Sequence, residues 1–312
     1  MGNLSSVRWS HYLKELDLKG NCALLLSNSV EYAIADVAIM FAGKTRVSIN
    51  TMTGVNELDY IVKDADIEVI FVDGTTKMKV SELNIEGLRI IPVEELNKFD
   101  AMDLSKPLEL PFENITTSPA IIAYTGGTTG QPKGAVYSHD KLLLVLLAHI
   151  TELELSADDK LLLLSPFAHS AGMILLAGLL RGATIITNAT FVPEKTLATI
   201  QQEKITFTFM VPTMIYRLLD AFKTNPSYDV SSVKTILYGA SPIYEERLKE
   251  GINLFGPIFT QLYGQTESYN FITRLTKKDH IKALHNKSEQ LKSCGRSVLL
   301  STVKSSMNKG WS

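Results

Sequence analysis

The sequence predicts an α/β protein built on mostly parallel sheets, and three observations carry that expectation. Short β-type runs alternate with helical runs along the chain, the pattern of βαβ units around a parallel sheet. The alternation occurs in two sets, separated by a connector rich in proline and polar residues, "DLSKPLELPFENITTSPA" (103–120). Polar clusters recur at the carboxyl ends of the strands, where open α/β sheets place their ligands. No internal repeat is present.

In the first set, "CALLLSN" (22–28) reads as a strand and "SVEYAIADVAIMFAG" (29–43) as a mostly apolar helix ending on Gly43. "RVSIN" (46–50) is a strand, and "GVNELDYIVKDAD" (54–66) a helix with apolar residues at helical spacing. "EVIFVDG" (68–74) is a strand ended by Asp-Gly. In the second set, "AIIAYT" and "GAVYSH" flank a glycine- and threonine-rich loop, and a helix starts near Asp140. "ATIITNATF" (183–191) and "TFTFMV" are strands, each followed by a helix opened by proline, Pro193 and Pro212. "VKTILYGAS" (233–241), the helix "YEERLKEGINLFG" and the strand "IFTQLYGQTE" (258–267) complete the set.

Composition excludes several classes. The chain has 312 residues, 45% hydrophobic and 21% charged, an ordinary globular composition with length for two or three packed units. A net charge of -2 makes no electrostatic case for nucleic acid or an anionic membrane as partner. The two cysteines, Cys22 and Cys294, form neither a CxxC nor a metal spacing, so a reducing cytoplasm is the expected setting. The N-terminus lacks the basic-then-apolar layout of a secretory signal. Its Met-Gly start, with Ser6 in place, matches part of a myristoylation pattern, but nothing polybasic follows and such short patterns recur by chance. The Asn-x-Ser/Thr triplets at Asn114 and Asn188 carry no meaning without secretion. The apolar runs 142–150 and 173–180 fall short of the ~20 residues that span a bilayer and read as buried helices.

The loop "AYTGGTTGQPKGAVYSH" (123–139) has the parts that polyphosphate needs. Glycines let the backbone approach closely, Thr125, Thr128 and Thr129 supply hydroxyls, and Lys133 supplies charge. It is not a Walker A loop, because Pro132 precedes the lysine and Gly134 follows it. The dinucleotide pattern fails too, since Gly126 and Gly127 are adjacent. On these residues alone a hairpin tip stays open beside phosphate binding. "YGASPI" (238–243) adds a glycine turn after a strand, with flat backbone on which a planar base can lie. "QLYGQTE" (261–267) adds an aromatic ring, a hydroxyl and a carboxylate at another strand end.

Together "YTGGTTGQPKG", "YGAS" and "LYGQTE" resemble the AMP-binding core of adenylate-forming enzymes, over most of the chain from about Asn21 to "SCGR" (293–296). "VPTMIYRLL" and "LKSCGR" place the likeness nearest the fatty-acyl-CoA synthetase branch. The resemblance implies the large N-terminal domain of that superfamily, two α/β subdomains with mostly parallel sheets flanked by helices. The expected division is residues 1–115, an AMP-binding core over 116–300, and an irregular tail over 301–312.

It also implies a reaction. A substrate carboxylate attacks the α-phosphorus of ATP, giving an acyl-adenylate, and coenzyme A then displaces AMP. The loop residues Thr125, Gly126, Gly127, Thr128, Thr129, Gly130 and Lys133 would close on the phosphates. Gly239, Ala240 and Ser241 would form one side of the adenine slot, with Tyr263 stacking opposite beside Gly264. Thr266 would touch the α-phosphate, so that Thr266, Lys133 and Glu267 are the catalytic candidates, and Thr125 and Glu267 would hold Mg²⁺. "SPFAHSAG" (165–172) matches a P-x-x-H-x-x-G element that puts His169 and Gly172 beside the acyl pocket. Taken by itself, a lone histidine among apolar residues is more often structural. No aspartate lies in that stretch, which disfavours an amino-acid substrate and leaves fatty or aryl acids. Apolar runs at 173–180 and 207–215 serve equally as a substrate tunnel or as core.

The implied partners are ATP and a carboxylic acid, with a homodimer admitted. The chain departs from the family pattern in three respects. Gly126 stands where Ser or Thr is common, the start is abbreviated, and no Thr-Gly-Asp element, hinge or lysine-bearing C-terminal small domain follows "SCGR". The expectation is therefore a C-terminally truncated ligase with impaired turnover. The runner-up is a non-catalytic ATP-, AMP- or acyl-binding remnant, and a P-loop enzyme comes third.

Overall fold

The computed structural model describes residues 2–95, 116–126, 130–268, 271–286 and 288–303; most of the connector and residues 304–312 of the tail lie outside them. The chain begins with α1 (Gly2–Glu15), β1 (Asn21–Leu25), α2 (Val30–Phe41), β2 (Arg46–Ser48) and α3 (Val55–Asp64). It continues through β3 (Ile67–Val72), α4 (Lys77–Ser81), β4 (Arg89–Pro92), β5 (Pro119–Thr125) and β6 (Lys133–Ser138). These strands form one six-stranded sheet in the order β4-β3-β1-β2-β5-β6. Every neighbouring pair is parallel except the closing β5–β6 hairpin.

The second half runs α5 (His139–Leu153), β7 (Lys160–Leu163), α6 (Ser170–Arg181), β8 (Thr184–Thr187), α7 (Pro193–Glu203) and β9 (Phe207–Met210). It ends with α8 (Pro212–Thr224), β10 (Thr235–Tyr238), α9 (Glu245–Phe255), β11 (Phe259–Tyr263), β12 (Thr273–Leu275), α10 (Lys277–Asn286) and β13 (Arg296–Ser297). Its sheet has seven strands in the order β13-β12-β11-β10-β9-β7-β8. The pairs β9–β10 and β10–β11 are parallel, and β12 and β13 add antiparallel.

The expected mixed α/β architecture with mostly parallel, helix-flanked sheets is thus observed, and local chemistry explains its boundaries. Ser29 is not inside α2 but caps it, its Oγ accepting the Tyr32 amide at 3.1 Å. Pro193 and Pro212 open α7 and α8, where a missing N–H costs nothing. The strand expected over 183–191 is shorter, β8 ending at Thr187, and the one expected over 258–267 ends at Tyr263. The sequence pattern did not single out α1, α4, β4, β7, β12, α10 or β13, which are short, polar or at sheet edges.

Two compact units result. One comprises Met1–Leu146, Leu163–Leu180 and Ile185–Phe191; the other comprises Leu147–Leu162, Arg181–Thr184 and Val192–Ser312. The first packs Ala23, Leu25, Val47, Ile70 and Val72 of its sheet against Leu58, Ile61 and Val62 of α3. Strand β3 is buried along nearly its whole length, as expected of a parallel strand covered on both faces. The same unit buries an ion pair in which Arg46 donates to Asp36. Burial pushes the Asp36 carboxyl up and Arg46 opposes the shift. In the second unit Phe207, Phe209, Ile236, Leu237 and Phe259 of the sheet are buried together with Leu248 and Ile252 of α9.

Candidate functional site

In the first unit the glycine- and threonine-rich loop joins β5 to β6. The hairpin holds Thr125 opposite Lys133 and Tyr124 opposite Gly134, so both ends of the loop are set by sheet register. Lys133 is exposed and the Thr125 side chain half-buried, while Gly127, Thr128 and Thr129 lie outside the described residues. Among the described residues, no atom lies within 4 Å of where a side chain at Gly126 or Gly130 would project. Behind the loop, Tyr124 Oη donates to Asp64 Oδ2 at 2.5 Å and Tyr60 Oη to Asp64 Oδ1 at 3.2 Å. Tyr124 and Gly126 also line a cavity of about 270 Å³ with Ser48, Asn50, Glu57 and His169.

His169 reaches that cavity from the turn before α6. Buried Asn28 clamps the turn: its Nδ2 donates to Ser165 O at 2.8 Å and its Oδ1 accepts the Phe167 amide at 2.9 Å. The His169 amide then donates to Pro166 O, and the Gly172 amide to His169 O. A Cβ at Gly172 would sit 2.1 Å from Phe167 O, so the chain path itself demands glycine there. The imidazole opens to the cavity on one side, yet the protein around it lowers its pKa by desolvation. Asn50, at the carboxyl end of β2, contacts its Nε2. Neither Asn28 nor Asn50 was identified from sequence, although the rule that ligands gather at strand ends points to both positions.

Phe167 of the same turn faces a second, mainly apolar cavity of about 290 Å³, with Val30, Ile34, Leu175 and Leu179. The apolar run 173–180 therefore divides its roles, since Ile174 and Ala177 are core while Leu179 is 38% exposed. In the run 207–215, Phe207, Phe209, Met210 and Ile215 are buried.

In the second unit Gly239, Ala240 and Ser241 follow β10. A Cβ at Gly239 would meet Leu262 O at 2.5 Å, and Ala240 adopts φ +68, a left-handed conformation rare for a side-chain-bearing residue. That turn borders a cavity of about 490 Å³ shared with Ser241, Gln261, Tyr263 and Gly264, a volume in the range of small-molecule sites. Tyr263 is 45% exposed, leaving ring area for stacking. Thr266 and Glu267 lie in the 3₁₀ turn just beyond, Thr266 half-buried and Glu267 exposed.

A further residue emerges behind this turn. Buried His280 of α10 places Nδ1 2.7 Å from Thr276 O and Nε2 2.8 Å from Tyr238 Oη. A carbonyl only accepts, so Nδ1 carries the proton and Nε2 accepts the tyrosine O–H. Burial lowers the His280 pKa and raises that of Tyr238. No motif marks His280, whose partner is 42 residues away.

As to Mg²⁺, among the described residues no three His, Cys, Asp or Glu side chains gather into a cage. Mg²⁺ shared with substrate phosphates needs only one or two protein oxygens and otherwise keeps water. The exposed Glu267 carboxylate in the second unit and the Thr125 hydroxyl in the first are each an oxygen donor of that kind, so the chemistry of each residue taken by itself fits.

Comparison with known proteins agrees with these motifs. The model of the AMP-binding enzyme family matches residues 3–304. The medium/long-chain-fatty-acid–CoA ligase FadD8 of Mycobacterium tuberculosis is 31% identical over 95% of this chain and 54% of its own length. A feruloyl-CoA synthase of an Amycolatopsis species is 34% identical over 73% of this chain and 45% of its own. This chain thus spans about half the length of these relatives. Among solved structures, the inhibitor-bound N-terminal domain of FACL13 from Mycobacterium tuberculosis superposes with a TM-score of 0.83 at 23% identity, covering 96% of this chain and 74% of that one. The o-succinylbenzoate CoA synthetase MenE from Bacillus subtilis, in complex with its acyl-adenylate intermediate, gives a TM-score of 0.79 at 24% identity, covering 95% and 58%.

Proposed function

The chain belongs to the family of AMP-binding enzymes, and from that premise we propose that it activates a carboxylic acid, fatty or aryl, by transferring it to the AMP moiety of ATP. In this reading the carboxylate oxygen attacks the α-phosphorus, the bond to the bridging oxygen breaks, and pyrophosphate leaves. The observation that carries the reading is the turn after β10, where Gly239 packs against the backbone of Leu262 and the left-handed Ala240, with Ser241, lines one cavity with Tyr263. That is a slot for a planar base between a peptide shelf and an aromatic ring.

Gly239, Ala240 and Ser241 hold one face of adenine and Tyr263 the other, with Gly264 beside it. Thr266 donates to the α-phosphate, where charge develops during attack. Lys133, with Thr125, Gly126, Gly127, Thr128, Thr129 and Gly130, holds the β- and γ-phosphates, which neutralises the leaving group. Thr125 and Glu267 would hold Mg²⁺, which when bound would supply further neutralisation. His169 and Gly172 border the acid, and the apolar cavity beside Phe167 suits an alkyl or aryl tail. Coenzyme A is the expected acceptor, as the names of the relatives indicate. The free thiols of Cys22 and Cys294 suit a cytoplasmic setting.

Isotope exchange between labelled pyrophosphate and ATP, with a panel of alkanoic and cinnamic acids and Mg²⁺, tests the reading. Acid-dependent exchange is the expected result. AMP binding by calorimetry without exchange from any acid would favour a nucleotide-holding role instead.

A further inference from the structure

The contact between Asn50 and His169 contains more information than its length. Asn50 Oδ1 lies 3.0 Å from the backbone nitrogen of Met52. A backbone N–H only donates, so the atom it meets is the amide oxygen, and the orientation of the Asn50 amide is settled. Its Nδ2 then faces His169 Nε2 at 2.9 Å. An NH₂ group also only donates, so Nε2 must accept, and the ring proton of the neutral imidazole resides on Nδ1. Protonation of Nε2 would set two donors against each other.

We propose that Asn50 is a positioning residue for His169: it holds the imidazole in the Nδ1–H tautomer, so that the wall of the candidate acid pocket is a neutral hydrogen-bond donor and not a cation. The proposal rests on the acid-activation reading for its purpose. A cationic histidine would pair with the substrate carboxylate and lower its nucleophilicity, whereas a neutral one leaves the carboxylate free to attack. Desolvation of the imidazole acts in the same direction. Glu57 from α3 and Tyr124 from β5 line the same cavity, and the turn over 165–172 carries no other charged side chain. Asn28 supports the arrangement from behind, through Ser165 and Phe167.

The full chain with ¹⁵N-labelled imidazoles tests the proposal by NMR, with His169→Gln identifying the resonance among the six histidines. The expected wild-type result is a protonated Nδ1, a bare Nε2, and titration below the usual histidine range. Asn50→Asp turns the donor into an acceptor, so Nε2 becomes protonated and the pKa rises by about one unit. Asn50→Ala, which keeps neither role, leaves a mixture of tautomers and serves if the aspartate variant does not fold. A protonated Nε2 in the wild type, or an unchanged His169 titration in both variants, would overturn the assignment. In the exchange assay at about pH 8, where the imidazole stays neutral, the Nε2–H tautomer of Asn50→Asp offers the carboxylate no donor from Nδ1. That loss raises KM for the acid by about tenfold, the scale of one hydrogen bond to a charged group, and leaves KM for ATP unchanged. An unchanged acid KM would remove the pocket role. Absence of exchange in the wild-type protein, with the tautomer as expected, counts against acid activation and not against the Asn50–His169 assignment.

Discussion

Lys133 opens β6 as an exposed side chain, so its substitution probes ligand contacts more than packing. Lys133→Ala is expected to weaken ATP binding by about tenfold, the scale of a charge-assisted phosphate contact, while AMP binding stays nearly unchanged; calorimetry with both nucleotides measures the split. Glu267 is equally exposed, and Glu267→Ala should shift any acid-dependent exchange to higher Mg²⁺. An unaltered Mg²⁺ dependence would show that the metal is held elsewhere. Gly239 differs in kind, because its environment is backbone. Gly239→Ala would drive a Cβ into Leu262 O, costing about 1–3 kcal/mol in stability. Any folded fraction should bind AMP more weakly, which separates a damaged slot from simple unfolding.

At the scale of elements, the turn ahead of α6 depends on one buried side chain. Asn28→Ala removes the hydrogen bonds that Asn28 makes with the Phe167 amide and the Ser165 carbonyl, a loss of about 2 kcal/mol by urea denaturation. The His169 resonances should broaden with it, since the clamp sets where that ring stands. The β5–β6 hairpin shows how much an element reveals before folding. Its two strands and the loop between them were legible because apolar runs flank a cluster of glycines, a local signal. That these strands extend the first sheet through the β2–β5 pairing was not legible, because strand order is a non-local choice. Short strands at or next to a sheet edge, such as β4, β12 and β13, escaped for a related reason. Two to four residues carry too little periodicity to stand out.

For the molecule as a whole, acid should act first through buried imidazole. The folded-state pKa of His280 is depressed below the ordinary 6.5, chiefly by desolvation. The unfolded chain therefore binds the extra proton first, so His280 contributes full stability above pH 6.5 and loses it as pH falls below that value. Urea midpoints should decline from pH 7 toward pH 5, and His280→Gln should flatten its share of that slope. Unchanged slopes in the variant would show that other groups carry the acid sensitivity. Carboxylates held down by hydrogen bonds, such as Asp159 and Asp279, lose their contribution only in the lower window, below their ordinary 3.8. The sequence by itself determined the α/β class, the strand-end turns and the kinds of groups offered there: hydroxyls, a lysine, an aromatic ring and a carboxylate. Those follow from periodicity, turn chemistry and spacing, which act over a few residues. Tertiary structure alone decided that Asn50 meets a histidine 119 residues away, that Asn28 grips the chain near residue 165, and that His280 stands behind Tyr238. Those pairings depend on strand order and register, which the burial of whole apolar faces sets across the chain, and no local pattern encodes them.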